Sequence, residues 1–266
     1  GGIPPEVIAA GDAPAGKAEG IVATEVGQGV SVMLRSSDPF ARWEQASVIR
    51  GAGKGTVSAV AYAALGDITA SQFQSLANIQ RELGADVRLS NRQNVVFRGL
   101  REEQLRTLFD RLEAIGMARP GAELARDVVA CPGADTCNIA VTQSRGLAKA
   151  IGERLEEEGL AEVGGVRINI SGCTNSCGQH HASDIGLFGA ERRAHGRSLP
   201  GYQLLLGGYV GDEQIHFGQK ALRLPARTAP EGVARVVRRF AEERNAAAII
   251  VLTSHGVLVS SYTHSL

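Results

Sequence analysis

The sequence has few cysteines, no excess of charge of either sign and no long apolar run. Lys and Arg together number 28 and equal the 28 Asp and Glu, so no overall field attracts nucleic acid or an anionic membrane. No stretch is long and apolar enough to cross a bilayer, and the start Gly1–Pro5 lacks the basic-then-apolar order of a secretory signal. Four cysteines in 266 residues are too sparse for a disulfide-stapled secreted scaffold. We therefore predict a protein of a reducing, cytoplasmic compartment with no nucleic-acid or membrane partner. The absence of an initiator Met indicates a processed, tagged or excerpted chain.

The order of apolar runs and turn residues predicts two folded units with a flanking segment on each side. Residues 1–55 are rich in Gly, Ala and Pro and are expected to form an extended lead-in, with a short strand at Val30–Leu34 and Trp43 as a packing anchor rather than a cofactor contact. In residues 56–118, two amphipathic helices alternate with strands in the order β-α-β-β-α, the pattern of a small split α/β sandwich. Residues 121–245 carry all four cysteines, and residues 246–266 form a tail without an assigned role. The predicted fold class is α+β.

Local signals place the individual elements. Thr69-x-x-Gln72 has the form of a capping box before a helix whose apolar stripe includes Phe73 and Leu76. The chain from Asp127 leads into Cys131, and a helix capped by Asp135 or Thr136 is expected from about Cys137 to Glu158. The other predicted strands are Thr56–Leu65, Val87–Leu89, Val95–Phe97, Val166–Ile170, Ile185–Phe188 and Tyr202–Leu206, and the other predicted helices lie along Leu105–Ile115 and Glu231–Arg244.

The cysteines fall in two short-range pairs, Cys131-x5-Cys137 and Cys173-x3-Cys177. Such pairs are the ligand supply of one metal centre. Zinc knuckles usually close with tighter spacing than the first pair, and its broader loop suits the edge of an iron–sulfur cluster. Cys137 at the start of the predicted helix would gain thiolate stabilisation from the positive helix end. The spacing favours a cluster and leaves open a zinc site, two disulfides or four unrelated buried thiols.

The residues around these cysteines resemble the nitrite/sulfite reductase hemoproteins. The shared pattern is the two cysteine pairs, with Gly172-Cys-x-Asn-Ser-Cys-Gly-Gln-His-His181 followed by Asp184-Ile-Gly-Leu187. Upstream, Asn91-Arg-Gln-Asn94 resembles part of the half-domain that precedes the cysteine domain in that family. The resemblance runs from about Thr56 to Glu243. It implies a ferredoxin-like half-domain followed by an α/β nitrite/sulfite reductase cluster domain.

The resemblance also implies two cofactors, a [4Fe–4S] cluster and siroheme, with Cys177 shared between them. It implies reduction of a small inorganic anion, nitrite to ammonia or sulfite to sulfide, with ferredoxin or a flavoprotein as electron donor. Siroheme carries many carboxylates, so its pocket needs cations and amide donors. The implied cluster ligands are Cys131, Cys137, Cys173 and Cys177, and the implied siroheme contacts are Arg88, Asn91, Arg92, Gln93, Asn94, Thr174, Asn175 and Cys177. Without the family pattern, residues 88–94 fit a solvated hairpin tip equally well.

Members of this family are longer, and the chain resembles only their second half. The substrate-binding cations of the first half have no counterpart here, so the catalytic residues are unassigned and a separate N-terminal half is an expected partner. A precorrin-3B synthase-like enzyme, a non-catalytic iron–sulfur electron carrier and a structural zinc module remain alternatives. His180 and His181 could shuttle protons or touch a cofactor edge, although structural packing or a surface position is the preferred interpretation.

Overall fold

A computed structural model describes residues 36–51, 55–194, 197–210 and 215–255, and it contains two packed units, each with its own hydrophobic core. The strand predicted at Val30–Leu34 lies outside the described residues. The mixed helices and sheets confirm the predicted α+β class. Among the described residues, no helix combines the length and apolar character needed to span a membrane.

The first unit is an antiparallel sheet of four strands in the order β1-β2-β4-β3, with helices packed on it. Its core gathers Trp43, Phe97 and Phe109, and Trp43 packs against the Phe40 and Phe109 rings. The elements are α1 Pro39–Ser47, β1 Val48–Arg50, β2 Val57–Ala61, α2 Ala70–Leu83, β3 Asp86–Leu89, β4 Val95–Leu100 and α3 Leu105–Glu113.

The prediction of an extended lead-in through residue 55 is wrong for Pro39–Arg50. These residues form a helix and an edge strand of this sheet. The helix begins where Asp38 accepts hydrogen bonds from the backbone N–H groups of Phe40 and Ala41, and Pro39 at the first helical position needs no N–H partner. Trp43 is fully buried, as expected of a packing anchor. Helix α1 has nine residues and follows a Gly- and Ala-rich segment, so its apolar stripe is too short to be recognised from periodicity.

The capping box at the start of α2 is confirmed, because the Thr69 hydroxyl accepts from Gln72 N while the Gln72 side chain accepts from Thr69 N. The inward position predicted for Phe73 is wrong, since 61% of this residue is exposed. Leu76 and Ile79 supply the buried stripe instead. In α3 the predicted apolar face is buried through Leu105, Leu108, Phe109 and Leu112.

The second unit is a five-stranded sheet in the order β11-β8-β7-β6-β5. Strands β5, β6 and β7 run parallel. Strand β8 pairs antiparallel with β7, and β11 pairs antiparallel with β8. Its core contains Ile168 and Ile170 of β6 with Ile151 of α4 and Val233 of α5. The elements are β5 Val129–Ala130, α4 Ser144–Glu157, β6 Ile168–Ser171, β7 Ile185–Ala194, β8 Arg197–Leu206, β9 Tyr209–Val210, β10 Ile215–His216, β11 Gln219–Pro225 and α5 Ala229–His255.

Two helix boundaries in this unit differ from the sequence prediction. Helix α4 begins at Ser144 and not near Cys137, because residues 131–143 form an irregular loop with one 3-10 turn at Gly133–Asp135. Helix α5 continues to His255, so the segment expected to be a tail from residue 246 is helical as far as it is described.

Candidate cofactor site

The two cysteine loops follow neighbouring parallel strands. Cys131 comes directly after β5, and Cys173 comes two residues after the end of β6. In the register of these strands Ala130 lies opposite Ile170. Because the carboxyl ends of parallel strands share one edge of a sheet, loops that leave them converge there. The sheet topology therefore brings both cysteine pairs to the same edge.

Backbone hydrogen bonds lock the two loops together. Val141 N and Thr142 N both donate to Gly172 O, at 2.9 and 3.2 Å. In the opposite direction, Gly172 N donates to the Cys131 sulfur at 3.1 Å. A Cβ on Gly172 would lie 2.9 Å from Gly133 Cα and from Thr142 O, so the contact requires glycine at this position. The loops are thus in direct contact across Gly172.

The four thiols are free, which contradicts the disulfide alternative. They also differ in exposure: Cys131 is buried, Cys137 and Cys173 are intermediate, and Cys177 is exposed. Within the described ranges, no group of three or more His, Cys, Asp or Glu is placed to hold a single metal ion. A [4Fe–4S] cube takes its four thiolates from a wider shell than one zinc ion does.

The positive end of α4 lies at Cys131 and not at Cys137. Ser144, the first residue of α4, places its hydroxyl 3.3 Å from the Cys131 sulfur and donates to the Cys131 carbonyl at 2.7 Å. Cys137 instead lies within a turn, where its N–H donates to Gly133 O at 2.9 Å. The helix-end stabilisation of a thiolate therefore belongs to Cys131, and the prediction for Cys137 is wrong.

The second loop presents Cys177 at a sharp turn. Gln179 N donates to Ser176 O at 2.7 Å, so Cys177 and Gly178 form the middle of the turn. Ser176 and Gln179, which flank them, both have left-handed backbones with φ of 60° and 57°. Such conformations in non-glycine residues are costly and cluster at ligand sites. Thr174, Asn175 and Cys177 are all exposed on the outer side of this loop.

The segment after Cys177 is anchored on the sheet. Gly178 N donates to Ser171 Oγ at 3.1 Å, and Asn169 Nδ2 donates to Gly178 O at 2.9 Å. His180 is fully buried, with Nδ1 2.8 Å from Ser171 Oγ and its ring centroid 4.9 Å from that of Phe188. Burial, with a smaller effect of His181, lowers the pKa of His180 to about 4. The imidazole is therefore neutral at pH 7, and its position is structural rather than at the surface.

The residues expected on siroheme occupy two different settings. Arg92 Nε donates to Asp127 Oδ2 at 3.0 Å, and Asn94 Nδ2 donates to both Asp127 carboxylate oxygens. Gln93 exchanges hydrogen bonds with the backbone of Ala130, the residue before Cys131. Arg88 and Asn91, in contrast, are exposed. The turn at residues 92–94 thus connects the first unit to the second. Arg92 and Asn94 bind the Asp127 carboxylate, and Gln93 binds the backbone of β5.

Asp127 is the buried centre of this contact. It is 3% exposed and Arg92 is 8% exposed. Burial raises the pKa of the Asp127 carboxyl, and the Arg92 guanidinium opposes that effect. Other links between the units are Tyr62 OH donating to Arg126 O at 3.2 Å and Arg145 Nη1 donating to Leu65 O at 3.1 Å.

Sequence reasoning missed several residues that support the site. They are Asp127, Ser144, Asn169, Ser171 and Gly172. The available signal was positional: Asn169 and Ser171 alternate on β6, which directs both to the face opposite Ile168 and Ile170. A polar alternation in a buried strand that ends at a cysteine motif indicates support for the following loop.

The arrangement fits a cluster held by the two loops. The buried Cys131 sulfur accepts an N–H bond from Gly172, as a thiolate ligand favours. Glycine at positions 133, 172 and 178 keeps side chains away from the loop contacts. The exposed Cys177 is free to contact a further group beyond the cluster.

Two family models match the chain. The nitrite and sulphite reductase 4Fe-4S domain matches residues 121–247, and the nitrite/sulfite reductase ferredoxin-like half domain matches residues 50–115.

Similar proteins include reductases of both anions. The ferredoxin–nitrite reductase of Synechococcus elongatus is 36% identical over 68% of this chain and 34% of its own length. Sulfite reductase [ferredoxin] 2 of Mycolicibacterium paratuberculosis is 30% identical over 67% of this chain and 34% of its own length. The structure of Mycobacterium tuberculosis NirA protein superposes with a TM-score of 0.63 at 28% identity, over 74% of this chain and 37% of that one. The chain spans about a third of the length of the curated relatives that it matches.

Proposed function

Because this chain belongs to the nitrite and sulfite reductase family, we propose that it forms the cluster- and siroheme-binding part of a reductase of nitrite or sulfite. The family models and the relatives confirm the family and the α+β fold expected from the sequence. They also support the two expected cofactors, a [4Fe–4S] cluster and siroheme. The named relatives are oxidoreductases. Their names do not distinguish the two anions for this chain.

One observation carries the assignment of ligands. The Gly172 N–H donates to the Cys131 sulfur, which joins the loop of Cys131 and Cys137 to the loop of Cys173 and Cys177. We assign all four cysteines to one cluster on this contact. The exposed Cys177 would be the ligand shared with siroheme.

When bound, a [4Fe–4S] cluster and siroheme would supply the one-electron chemistry that reduction of an inorganic anion needs. The chain's own residues hold and orient this pair. Cys131 is the most enclosed ligand and fixes the inner side of the cluster. Thr174 and Asn175 lie exposed beside Cys177, where polar side chains can meet the edge of a macrocycle.

Arg88, Asn91, Arg92, Gln93 and Asn94 remain proposed siroheme contacts with unequal support. Arg88 and Asn91 are exposed, and Arg88, whose present partner Asp86 is also at the surface, could exchange that pair for a carboxylate of the macrocycle. Arg92 and Asn94 already satisfy Asp127, and Gln93 satisfies the Ala130 backbone, so we propose that these three act mainly by fixing the strand that leads into Cys131.

The names of the relatives favour ferredoxin as the electron donor. An anionic substrate also needs cations above the macrocycle for binding and proton delivery. Since the chain spans about a third of its relatives, we propose that an additional polypeptide segment supplies them.

The proposal is tested by anaerobic reconstitution with iron, sulfide and siroheme. We expect about four iron and four sulfide per chain in the cluster, with siroheme absorption bands that shift when the cluster is reduced. Thr136→Ser, in the exposed part of the first loop, serves as a matched control with normal loading. One zinc per chain without iron or sulfide contradicts the proposal. A cluster without tetrapyrrole supports the electron-carrier alternative, and turnover of a tetrapyrrole instead of an anion supports the precorrin-3B synthase alternative.

A further inference from the structure

Cys177 lies at the surface, and the orientation of its side chain depends on the residues next to it in the turn. Its partner in the turn, Gly178, is bound at both backbone polar groups: Ser171 Oγ accepts its N–H at 3.1 Å, and Asn169 Nδ2 donates to its carbonyl at 2.9 Å. Both side chains project from one face of β6. A Cβ on Gly178 would lie 2.1 Å from Ile170 O, so the segment is seated directly on the strand. The direction of Cys177 therefore depends on how firmly Gly178 is held.

The Ser171 hydroxyl has two described partners, Gly178 N and His180 Nδ1. The Gly178 N–H is a donor and occupies a lone pair on Oγ. We assign the hydroxyl proton to the contact with His180 Nδ1, 2.8 Å away, so that Nδ1 accepts and the ring proton is on Nε2, a buried atom with no hydrogen-bond partner among the described residues. A hydroxyl that donates in this way is a stronger acceptor for the next donor in the chain.

His180 cannot move easily from this position. It is fully buried, its ring contacts Phe188 at a tilt of 36°, and its backbone carbonyl lies where a Cβ on Gly186 would approach to 1.9 Å. No side chain at residue 186 is compatible with this path of the chain. The ring is thereby held rigidly behind Ser171.

We propose that His180 is a positioning residue which, through Ser171, fixes Gly178 and so the direction of the Cys177 thiolate. The chain of contacts is His180 Nδ1, Ser171 Oγ, Gly178 N and then Cys177. The proposed function enters only in naming what Cys177 binds. The geometry of the chain of contacts is independent of it.

The first test measures amide hydrogen exchange in the full chain without cofactors. His180→Ala releases the Ser171 rotamer, and we expect the Gly178 amide to exchange roughly five-fold faster, the factor that one net hydrogen bond contributes. His180→Asn places an amide oxygen at the Nδ1 position and restores slow exchange. His180→Gln places its amide at the Nε2 position and does not restore it. His181→Asn is the matched control at the neighbouring ring and leaves Gly178 unchanged.

Three results overturn the inference. The first is unchanged Gly178 exchange in His180→Ala, and the second is rescue by His180→Gln but not by His180→Asn. The third is an equal rise of exchange in the amides of Ile168 and Leu187, which indicates general loosening of the sheet. Should His180→Ala fail to fold, Ser171→Ala provides the same test, because adding His180→Asn to it is then expected to have no further effect.

A second measurement uses the reconstituted protein. His180→Ala is expected to keep normal iron and sulfide content but to lose the shift of the siroheme bands on cluster reduction, and His180→Asn is expected to regain it. A normal band shift in His180→Ala, with faster Gly178 exchange, rejects the link to Cys177. Absence of cluster in the unchanged protein rejects the proposed function and leaves the exchange result standing.

Discussion

The two cysteine loops differ in how closely the fold encloses them. Cys131 is buried, donates its N–H to Ile170 O at 3.1 Å, and has the start of α4 beside its sulfur. Cys177 is exposed, and its neighbour Gly178 is bound to Ser171 of β6. The first loop begins at a buried cysteine, whereas the second loop ends at an exposed one. A ligand that faces only a cluster suits the first position, whereas a ligand shared with a second cofactor needs the second.

The largest expected effect comes from replacing one cysteine of each loop. Cys131→Ser removes the enclosed ligand, and we expect bound iron to fall more than about ten-fold, because loss of an outer-shell partner alone costs about 10- to 100-fold in metal affinity. Cys177→Ser removes the outer ligand, and we expect a larger share of iron to remain while siroheme and cluster spectra become independent. Iron and sulfide analysis with absorption spectra of both variants provides the comparison. Identical behaviour of the two variants contradicts the division between inner and outer ligands.

A second way to test the comparison is to separate the loops. In Gly172→Ala, the new methyl would lie 2.9 Å from Gly133 Cα and Thr142 O, so the backbones must move apart. We expect severe loss of cluster assembly while secondary structure by circular dichroism is retained. Gly152→Ala is the matched control, since a Cβ there meets nothing within 4 Å. It is expected to stabilise α4 by about 0.5–1 kcal/mol and to load normally.

The sequence predicted most helices and strands, because caps and apolar periodicity are local signals, and cysteine spacing, also local, is the basis of the proposed ligand set. The two loops converge because β5 and β6 pair in parallel. Since β5, Val129–Ala130, has only two residues, its sequence does not predict this pairing. The bonds of Arg92 and Asn94 to Asp127, and of Gln93 to the Ala130 backbone, join residues that are distant in sequence, so the sequence did not predict them. The sequence does not distinguish a buried carboxylate such as Asp127 from a solvated one. That difference follows from tertiary contacts.

The first loop also depends on the contact between units, and Arg92→Ala tests that dependence. The change leaves the Asp127 carboxylate buried without its cation, although Asn94 and Glu123 N still donate to it. We expect a loss of about 3 kcal/mol in the free energy of unfolding, the lower end for a broken buried pair, measured by urea denaturation. Arg239→Ala breaks an exposed ion pair with Glu243, and the two side chains are 72% and 62% exposed. It is expected to cost less than about 0.5 kcal/mol. Equal losses in the two variants would show that the Arg92 contact is no better than a surface pair.

A further expected effect is a pH dependence of stability that originates in the second loop. His180 has a pKa lowered to about 4 by burial, with His181 the titratable group beside it at 4.2 Å between ring centroids. Folding therefore weakens proton binding, and the stability that His180 contributes is complete above its ordinary pKa of about 6.5 and declines as the pH falls toward 4. The buried carboxyls Asp127 and Asp184 have raised pKa values and act in the opposite direction, so the effect is measured as a difference. We expect the Tm of the unaltered chain to fall between pH 6.5 and 4 more steeply than that of His180→Asn, whose amide does not titrate. Parallel Tm profiles for the two proteins would place the acid sensitivity outside the anchor of Cys177.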